Sequence, residues 1–335
     1  MDLSTTYLGL SLPHPFMPGA SPLVDDLDMV RRLEDAGASA IVMHSLFEEQ
    51  ILAEQREALL FESFSESFAE AVSYAPDSRT FALGPDEYLE QIQRIRQAVS
   101  VPVIASLNGT TPRSWIEYAR LIEQAGAHAL EINVYDVPTD PLETGEDVER
   151  RTLETAEAVR SAVSIPVAVK LSPFFSSLAS LARRLDLSGI AGLVIFNRFY
   201  QPDIDIEALD VVPTVRLSDS GELLLRLRWL AILSGRVKAS LAVTGGVHTS
   251  HDAIKAVMAG AHAVQMVSAL LRHGPEQLRR VREEMIQWME EHGYESLRQM
   301  QGSMNLARSG NPSALERSNY MRVLQSWSRA GTPAL

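Results

Sequence analysis

The feature that most constrains this chain is a phrase it repeats. Residues 34–42 read EDAGASAIV, residues 123–132 read EQAGAHALEI and residues 258–267 read MAGAHAVQMV. In each, a helical pattern stops at AGA and a short apolar run begins. Glycine ends a helix there because it adopts the left-handed conformation without a Cβ clash. Residues 187–195 (LSGIAGLVI) are a looser copy. A second phrase alternates with the first: AVSVPVIAS at 98–106 and AVSIPVAVKLS at 162–172. Helix and buried strand in alternation are the signature of a parallel α/β protein. Eight strands are expected, around residues 16–20, 40–45, 102–107, 129–135, 166–172, 192–197, 240–244 and 263–267. Eight sequential strand–helix units predict a closed (β/α)8 barrel, a TIM barrel. A doubly wound sheet is the alternative, but no GxGxxG turn follows its first strand.

The 335 residues suffice for one large barrel. The net charge of −13 argues against nucleic acid or an anionic membrane surface as the partner. With no cysteine in the chain, disulfides, cysteine–zinc sites, iron–sulfur clusters and cysteine nucleophiles are excluded within it. The opening MDLSTTYLGLSLPHPFM lacks the basic region and apolar core of a signal peptide, and no apolar run approaches a membrane span. A cytoplasmic protein is the expectation. Three regions exceed the minimal repeat. Residues 48–74 predict a long helical insertion after the second strand, with Ile51, Leu52, Leu59, Leu60, Phe64 and Phe68 on its apolar face. Residues 198–228 form an excursion after the sixth strand. From Tyr294 onward, NLARSGNP breaks the pattern before the amphipathic ALERSNYMRVLQSW. The expected organisation is a barrel over 1–293 and a helical extension over 294–335 packed on it.

Catalytic groups in such barrels stand at the C-terminal ends of the strands. Those ends hold Ala20 and Ser21, His44 and Ser45, Asn108, Asn133, Asp136, Lys170, Asn197 and Arg198. The stretch 242–271 (AVTGGVHTSHDAIKAVMAGAHAVQMVSALL) is strand, glycine turn, helix and strand. Gly245-Gly246 and the neighbouring Val267-Ser268 present bare backbone N–H groups, which suit a phosphate; the plainer alternative is glycines needed only for turning. Lys170 lies inside the apolar run VAVKLSP, where an unpaired ammonium is costly. It either snorkels to solvent or offers a fixed cation to a cofactor or developing anion. Three amides with a lysine suit a planar ligand whose edge alternates carbonyl and N–H groups, such as a flavin or pyrimidine ring.

With these residues the chain resembles the dihydroorotate dehydrogenase family of FMN-binding barrels. The pieces are HPFMPGAS (14–21), ASLNG (105–109), EINV (131–134), VAVKLSP (167–173), VIFN (194–197), VTGGVHTSHDAIKAVMAGAHAVQMVSALLRHGP (243–275) and GYESL (293–297). The resemblance, closest to the class 1 enzymes, implies FMN as cofactor, with its phosphate at Gly245, Gly246, Val267 and Ser268. It puts Lys170 by the flavin ring, and Asn108, Asn133 and Asn197 around flavin and substrate, with Ala20, Ser21, His44 and Ser45 completing the cofactor set. It also implies hydride transfer between a dihydropyrimidine-like substrate and flavin N5, a homodimer and a separate electron acceptor. If the substrate is dihydroorotate, the pathway is pyrimidine biosynthesis. The chain departs from the family at four places. Asp136 takes the position of the cysteine or serine base and is either a base or a loop acid. Pro138 replaces an asparagine. His44 replaces a lysine and either donates to a flavin carbonyl or is structural. Arg198 replaces a small residue and either binds a substrate carboxylate or blocks the pocket. The family's substrate loop is not recognisable in 73–81. Two other readings stay open: an FMN oxidoreductase for another cyclic amide or enone, and a non-catalytic FMN- or phosphate-binding barrel that serves as a partner subunit.

Overall fold

The computed structural model describes residues 1–50, 84–109, 112–212, 214–316 and 319–325. The parallel strands are β3 (Phe16–Pro18), β4 (Ile41–Phe47), β5 (Val103–Asn108), β6 (Ala129–Asn133), β7 (Val167–Leu171), β8 (Gly192–Ile195), β11 (Ser240–Thr244) and β12 (Ala263–Met266). They form one eight-stranded sheet in the order β3-β12-β11-β8-β7-β6-β5-β4. All eight fall on the runs expected from the sequence. Two antiparallel hairpins are added: β1 (Thr5–Tyr7) with β2 (Leu10–Leu12), and β9 (Asp203–Asp205) with β10 (Asp210–Val212) in the excursion after β8. The helices are α1 (Leu27–Asp35), α2 (Pro85–Ala98), α3 (Pro112–Gln124), α4 (Gly145–Ala162), α5 (Leu178–Leu187), α6 (Leu223–Leu233), α7 (Ser250–Ala259), α8 (Ser268–His273), α9 (Glu276–Glu291), α10 (Leu297–Met300) and α11 (Asn319–Gln325). Among the described residues no helix is long and apolar enough to cross a membrane. The insertion expected over 48–74 lies, past its first three residues, outside the described residues, as does all of 73–81.

The repeated phrase has one structural task. Gly37, Gly126, Gly189 and Gly260 end their helices at φ values of 91°, 96°, 87° and 123°. Two residues on, Ser39, His128, Ala191 and His262 donate their N–H groups to Phe16, Val103, Val167 and Leu241, at 2.7–2.9 Å. The left-handed turn thus drops the chain onto the preceding strand and starts the next one in register. Three residues before three of these glycines stands an acid. Glu34 accepts from Ser100 N–H at 2.7 Å, Glu123 from Ser164 N–H at 2.8 Å, and Asp186 from Lys238 and Ala239 at 2.7 and 2.8 Å. Those carboxylates pin the lead-in to the next-but-one strand, so the two sequence phrases are joined in space. Between β3 and β4 the barrel is nearly closed: Ser39 N–H and Oγ both donate to Phe16 O, at 2.9 and 2.7 Å.

The β1–β2 hairpin plugs the N-terminal end of the barrel. Tyr7, Leu8 and Leu12 are buried against Met17, Ile104, Ala129, Ala168, Val194 and Ala242. The strands carry small residues here because the hairpin fills the space: a Cβ on Gly192 would lie 2.3 Å from Leu8. A larger apolar layer packs the outer strand faces against the helices. Beyond α9, residues 297–306 lie against the barrel helices. Gly302, Met304 and Leu306 donate to Val257, Met258 and Ala231 on α7 and α6, and Leu297 and Met300 are buried.

His14, buried just before β3, accepts the Phe16 N–H on Nδ1 at 3.3 Å. Burial, then the nearby Arg282 charge, lowers it from 6.5 to about 4. The native state therefore refuses a proton that the unfolded chain accepts. Stability from this group is complete above pH 6.5 and is lost as the pH falls toward about 4. Urea unfolding at pH 7.5 and 4.5 is expected to show a loss of roughly 2–3 kcal/mol from this site. His14→Asn, which keeps an acceptor for Phe16 N–H, is expected to flatten that part of the profile.

Candidate active site

Parallel pairing sets polar residues side by side in the upper half of the barrel. Asn108, Asn133 and Lys170 are register partners across β5, β6 and β7; one layer lower, Ser45, Ser106 and Glu131 are partners across β4, β5 and β6. Glu131 is fully buried and Lys170 is 6% exposed. Lys170 Nζ lies 3.3 Å from Glu131 Oε1, and Gln265 Nε2 donates to Glu131 Oε2 at 2.8 Å. This pairing is what allows two charges inside the barrel. From the hairpin plug, Tyr7 meets the same group: burial, then the Glu131 charge, raises its phenol well above the ordinary range, against a lowering contribution from Gln265. Removing one partner leaves the other charge buried alone. Glu131→Ala is expected to lower unfolding free energy by about 3–5 kcal/mol, with much of it recovered in a Glu131→Leu, Lys170→Met double variant. Denaturant titration of the two variants beside the parent protein checks both.

Above that layer a pocket of about 80 Å³ opens among the strand ends. Ala20, Lys170, Asn197, Arg198, Gly245, Val267 and Ser268 all line it, drawn from five strand ends and joined by Ser218 and Thr244. Asn133 is tied to them because Asn197 Nδ2 donates to its Oδ1 at 2.6 Å. Gly245 and Gly246 have φ near 80°, and both lie against α6 and its flank. A Cβ on Gly245 would sit 2.7 Å from Arg226 Nη2, and one on Gly246 would sit 2.5 Å from Leu223 N. Close packing thus requires both glycines, whatever else they do. Ser268 lies two residues past the end of β12, as the first residue of α8.

The remaining expected residues divide. Ser21 is buried beside Ala20, and its hydroxyl has no hydrogen-bond partner among the described residues. A buried orphan of that kind suits an added ligand. Asn108 holds its place in the row beside Asn133. His44 does not line the pocket: its Nδ1 lies 2.6 Å from Asp25 Oδ1, with the ring edge-on to Tyr88. Ser45 is taken up by Ser106, Oγ to Oγ at 2.8 Å. Asp136 is bound by Arg151, which also holds Glu143; these bonds, that to Glu143 first, raise the arginine above its ordinary value. Arg198 is paired with Glu222 at 3.1 Å. Asp136 and Phe199 line a second cavity of about 230 Å³ at the ends of β6, β7 and β8.

Ser218, Arg226, Glu131 and Gln265 belong to the site without having been expected. Ser218 N–H donates to Ser268 Oγ at 3.0 Å, and its Oγ accepts from Gly246 N–H at 3.3 Å and lies 3.2 Å from His248 Nε2. Burial, then the Arg272 charge, lowers His248. Arg226, 5% exposed, donates to Thr244 O at 2.5 Å and to Glu222 O at 2.7 Å. The available signal was an arginine within the apolar run LLLRLRWL, comparable to Lys170 within VAVKLSP. Lysine, paired amides, glycine N–H groups and a buried orphan hydroxyl have the donor chemistry for a phosphorylated flavin. At about 80 Å³ the pocket admits only part of one, and Arg198, Tyr200 and Ser218 are among the residues that line it.

Comparison with known proteins fits this geometry. The dihydroorotate dehydrogenase family profile matches residues 81–289. A protein of Aeropyrum pernix named putative dihydroorotate dehydrogenase A (fumarate) is 32% identical over 215 residues, 63% of this chain and 69% of the relative. The catalytic subunit of dihydroorotate dehydrogenase B (NAD(+)) of Thermoplasma acidophilum is 26% identical over 306 residues, 90% of this chain and 98% of its own. The NAD-dependent dihydropyrimidine dehydrogenase subunit PreA of Escherichia coli is 22% identical over 319 residues, 91% of this chain and 77% of its own.

Proposed function

The chain belongs to the dihydroorotate dehydrogenase family, and from that premise we propose that it is an FMN-dependent oxidoreductase acting on a CH–CH bond of a dihydropyrimidine-like ring. The observation that carries this reading is the pocket that joins Lys170, Asn197, Gly245 and Ser268 at the strand ends. Glu131 keeps the Lys170 ammonium in place, where it would stabilise negative charge on a bound flavin ring. The Asn133–Asn197 pair offers donor and acceptor atoms to a cyclic amide. Gly246 N–H, which donates to Ser218 Oγ at 3.3 Å, would with Gly245 and Ser268 hold the cofactor's phosphate. When bound, FMN supplies the acceptor for the hydride that leaves one ring carbon. Asp136 takes the proton from the adjacent carbon, so that a C=C bond forms with both hydrogens accounted for. Arg151 holds the Asp136 carboxylate in position through their ion pair.

Two of the similar proteins are named as subunits, which supports a separate chain as the electron acceptor. The same reading includes a homodimer, which sedimentation tests.

The first test is the visible spectrum of the purified protein, followed by anaerobic addition of L-dihydroorotate and of 5,6-dihydrouracil. Flavin bands that bleach with either compound are the expected result; no flavin, even after reconstitution with FMN, overturns the proposal. Lys170→Ala is expected to reduce both FMN retention and the rate of bleaching. Asp136→Asn is expected to keep its flavin while slowing bleaching by about 10²- to 10⁴-fold. Stopped-flow absorbance separates the two variants.

A further inference from the structure

We propose that the cavity at the ends of β6, β7 and β8 is a subsite for the apolar arm of an uncharged cyclic substrate. The assignment rests on reading the neighbouring strand ends as the substrate face. The cavity measures about 230 Å³ and is walled mainly by Val134, Val148, Phe174, Phe175 and Phe199, with Asp136, Thr152 and Ser172 as its polar part. Its aromatic wall is built: Phe199 stacks on Tyr135 with centroids 4.6 Å apart, and Phe174 meets Phe199 edge-on at 4.9 Å. Phe174 stays 68% exposed at the mouth and Val137 54%. Apolar surface left at the rim of a preformed cavity favours an apolar ligand.

Position ties the cavity to the site. Val134 follows Asn133, Phe199 follows Asn197 by two residues, and Val134 N–H donates to Lys170 O at 3.3 Å. A ring held by the Asn133–Asn197 pair therefore has this cavity within reach of a substituent.

Charge excludes an anionic arm. Arg151 is shared by two carboxylates, Asp136 and Glu143, which leaves the cluster net negative. Arg198 is matched by Glu222 at 3.1 Å, Arg184 by Glu149 at 3.3 Å and Lys170 by Glu131 at 3.3 Å. A substrate carboxylate entering here would have to break one of these pairs and approach the acidic 136–149 segment. An uncharged ring with an apolar arm meets neither cost and buries the phenylalanine wall.

The test uses two compounds with one head group: 5-benzylhydantoin, with an apolar arm, and hydantoin-5-acetic acid, with an anionic one. Isothermal titration of the protein as purified gives both affinities, and visible absorbance of the same samples gives flavin content. The benzyl compound is expected to bind at least about tenfold more tightly. Val148→Trp, which fills the cavity, is expected to abolish that preference. Phe199→Leu, a milder change that keeps the wall apolar, is expected to reduce it by a few-fold. Equal binding of the two compounds, tighter binding of the acid, or a benzyl preference that survives Val148→Trp overturns the subsite. A benzyl preference that depends on Val148 in protein that takes up no flavin supports the subsite while overturning the proposed oxidoreductase.

Discussion

The buried pair of Lys170 and Glu131 is the interaction on which the upper half of this barrel depends. Two charges are present where water is excluded, and only their mutual approach, with Gln265 on the second carboxylate oxygen, makes that tolerable. The consequences run in both directions along the barrel axis. Toward the base, the Glu131 charge is felt by the buried Tyr7 phenol of the hairpin plug, which burial first and that charge second push up. Toward the open face, Lys170 reaches the pocket with its ammonium held in one place. A lysine without Glu131 would either leave the interior or lose its charge, and the pocket would lose its fixed cation.

The same economy of charge extends over the C-terminal face. Cations that sequence alone leaves available, Arg198 above all, are matched by carboxylates from the chain itself. Arg151 does this for Asp136, and so alters what that carboxylate can do. Ser218 does the equivalent for a neutral donor by accepting the Gly246 N–H. The arginines at 151 and 198 are thus matched by carboxylates, while the apolar wall of phenylalanines is left partly exposed. That combination favours an uncharged ligand over one that brings a carboxylate.

Much of the fold was legible because its determinants are local. A left-handed glycine ends four of the helices, an acid stands three residues before three of these glycines, and in every copy the N–H two residues past the glycine donates to the preceding strand. The β1–β2 hairpin was not legible in this way. Its residues are too few to show periodicity, and its task, filling the barrel base, is visible only once Gly192, Ala129 and Ala168 are seen to leave room for it. The site was legible in its inventory. Ala20, Lys170, Asn197, Gly245, Val267 and Ser268 were selected as strand-end residues, and the barrel brings them to one pocket. Glu131, which shares β6 with Asn133, passed unnoticed because a single acid in a strand carries no sign of where its partner will be.

By itself, then, the sequence determined the eight strands, their order of appearance and the residues at their upper ends, since these follow from patterns a few residues long. Only the tertiary structure decided which of those residues are free to act. His44 is engaged by Asp25, Ser45 by Ser106, Asp136 by Arg151 and Arg198 by Glu222. Each of those partners comes from a different element. Whether two side chains meet there is settled by strand register and loop path, which are properties of the closed barrel and not of any one segment.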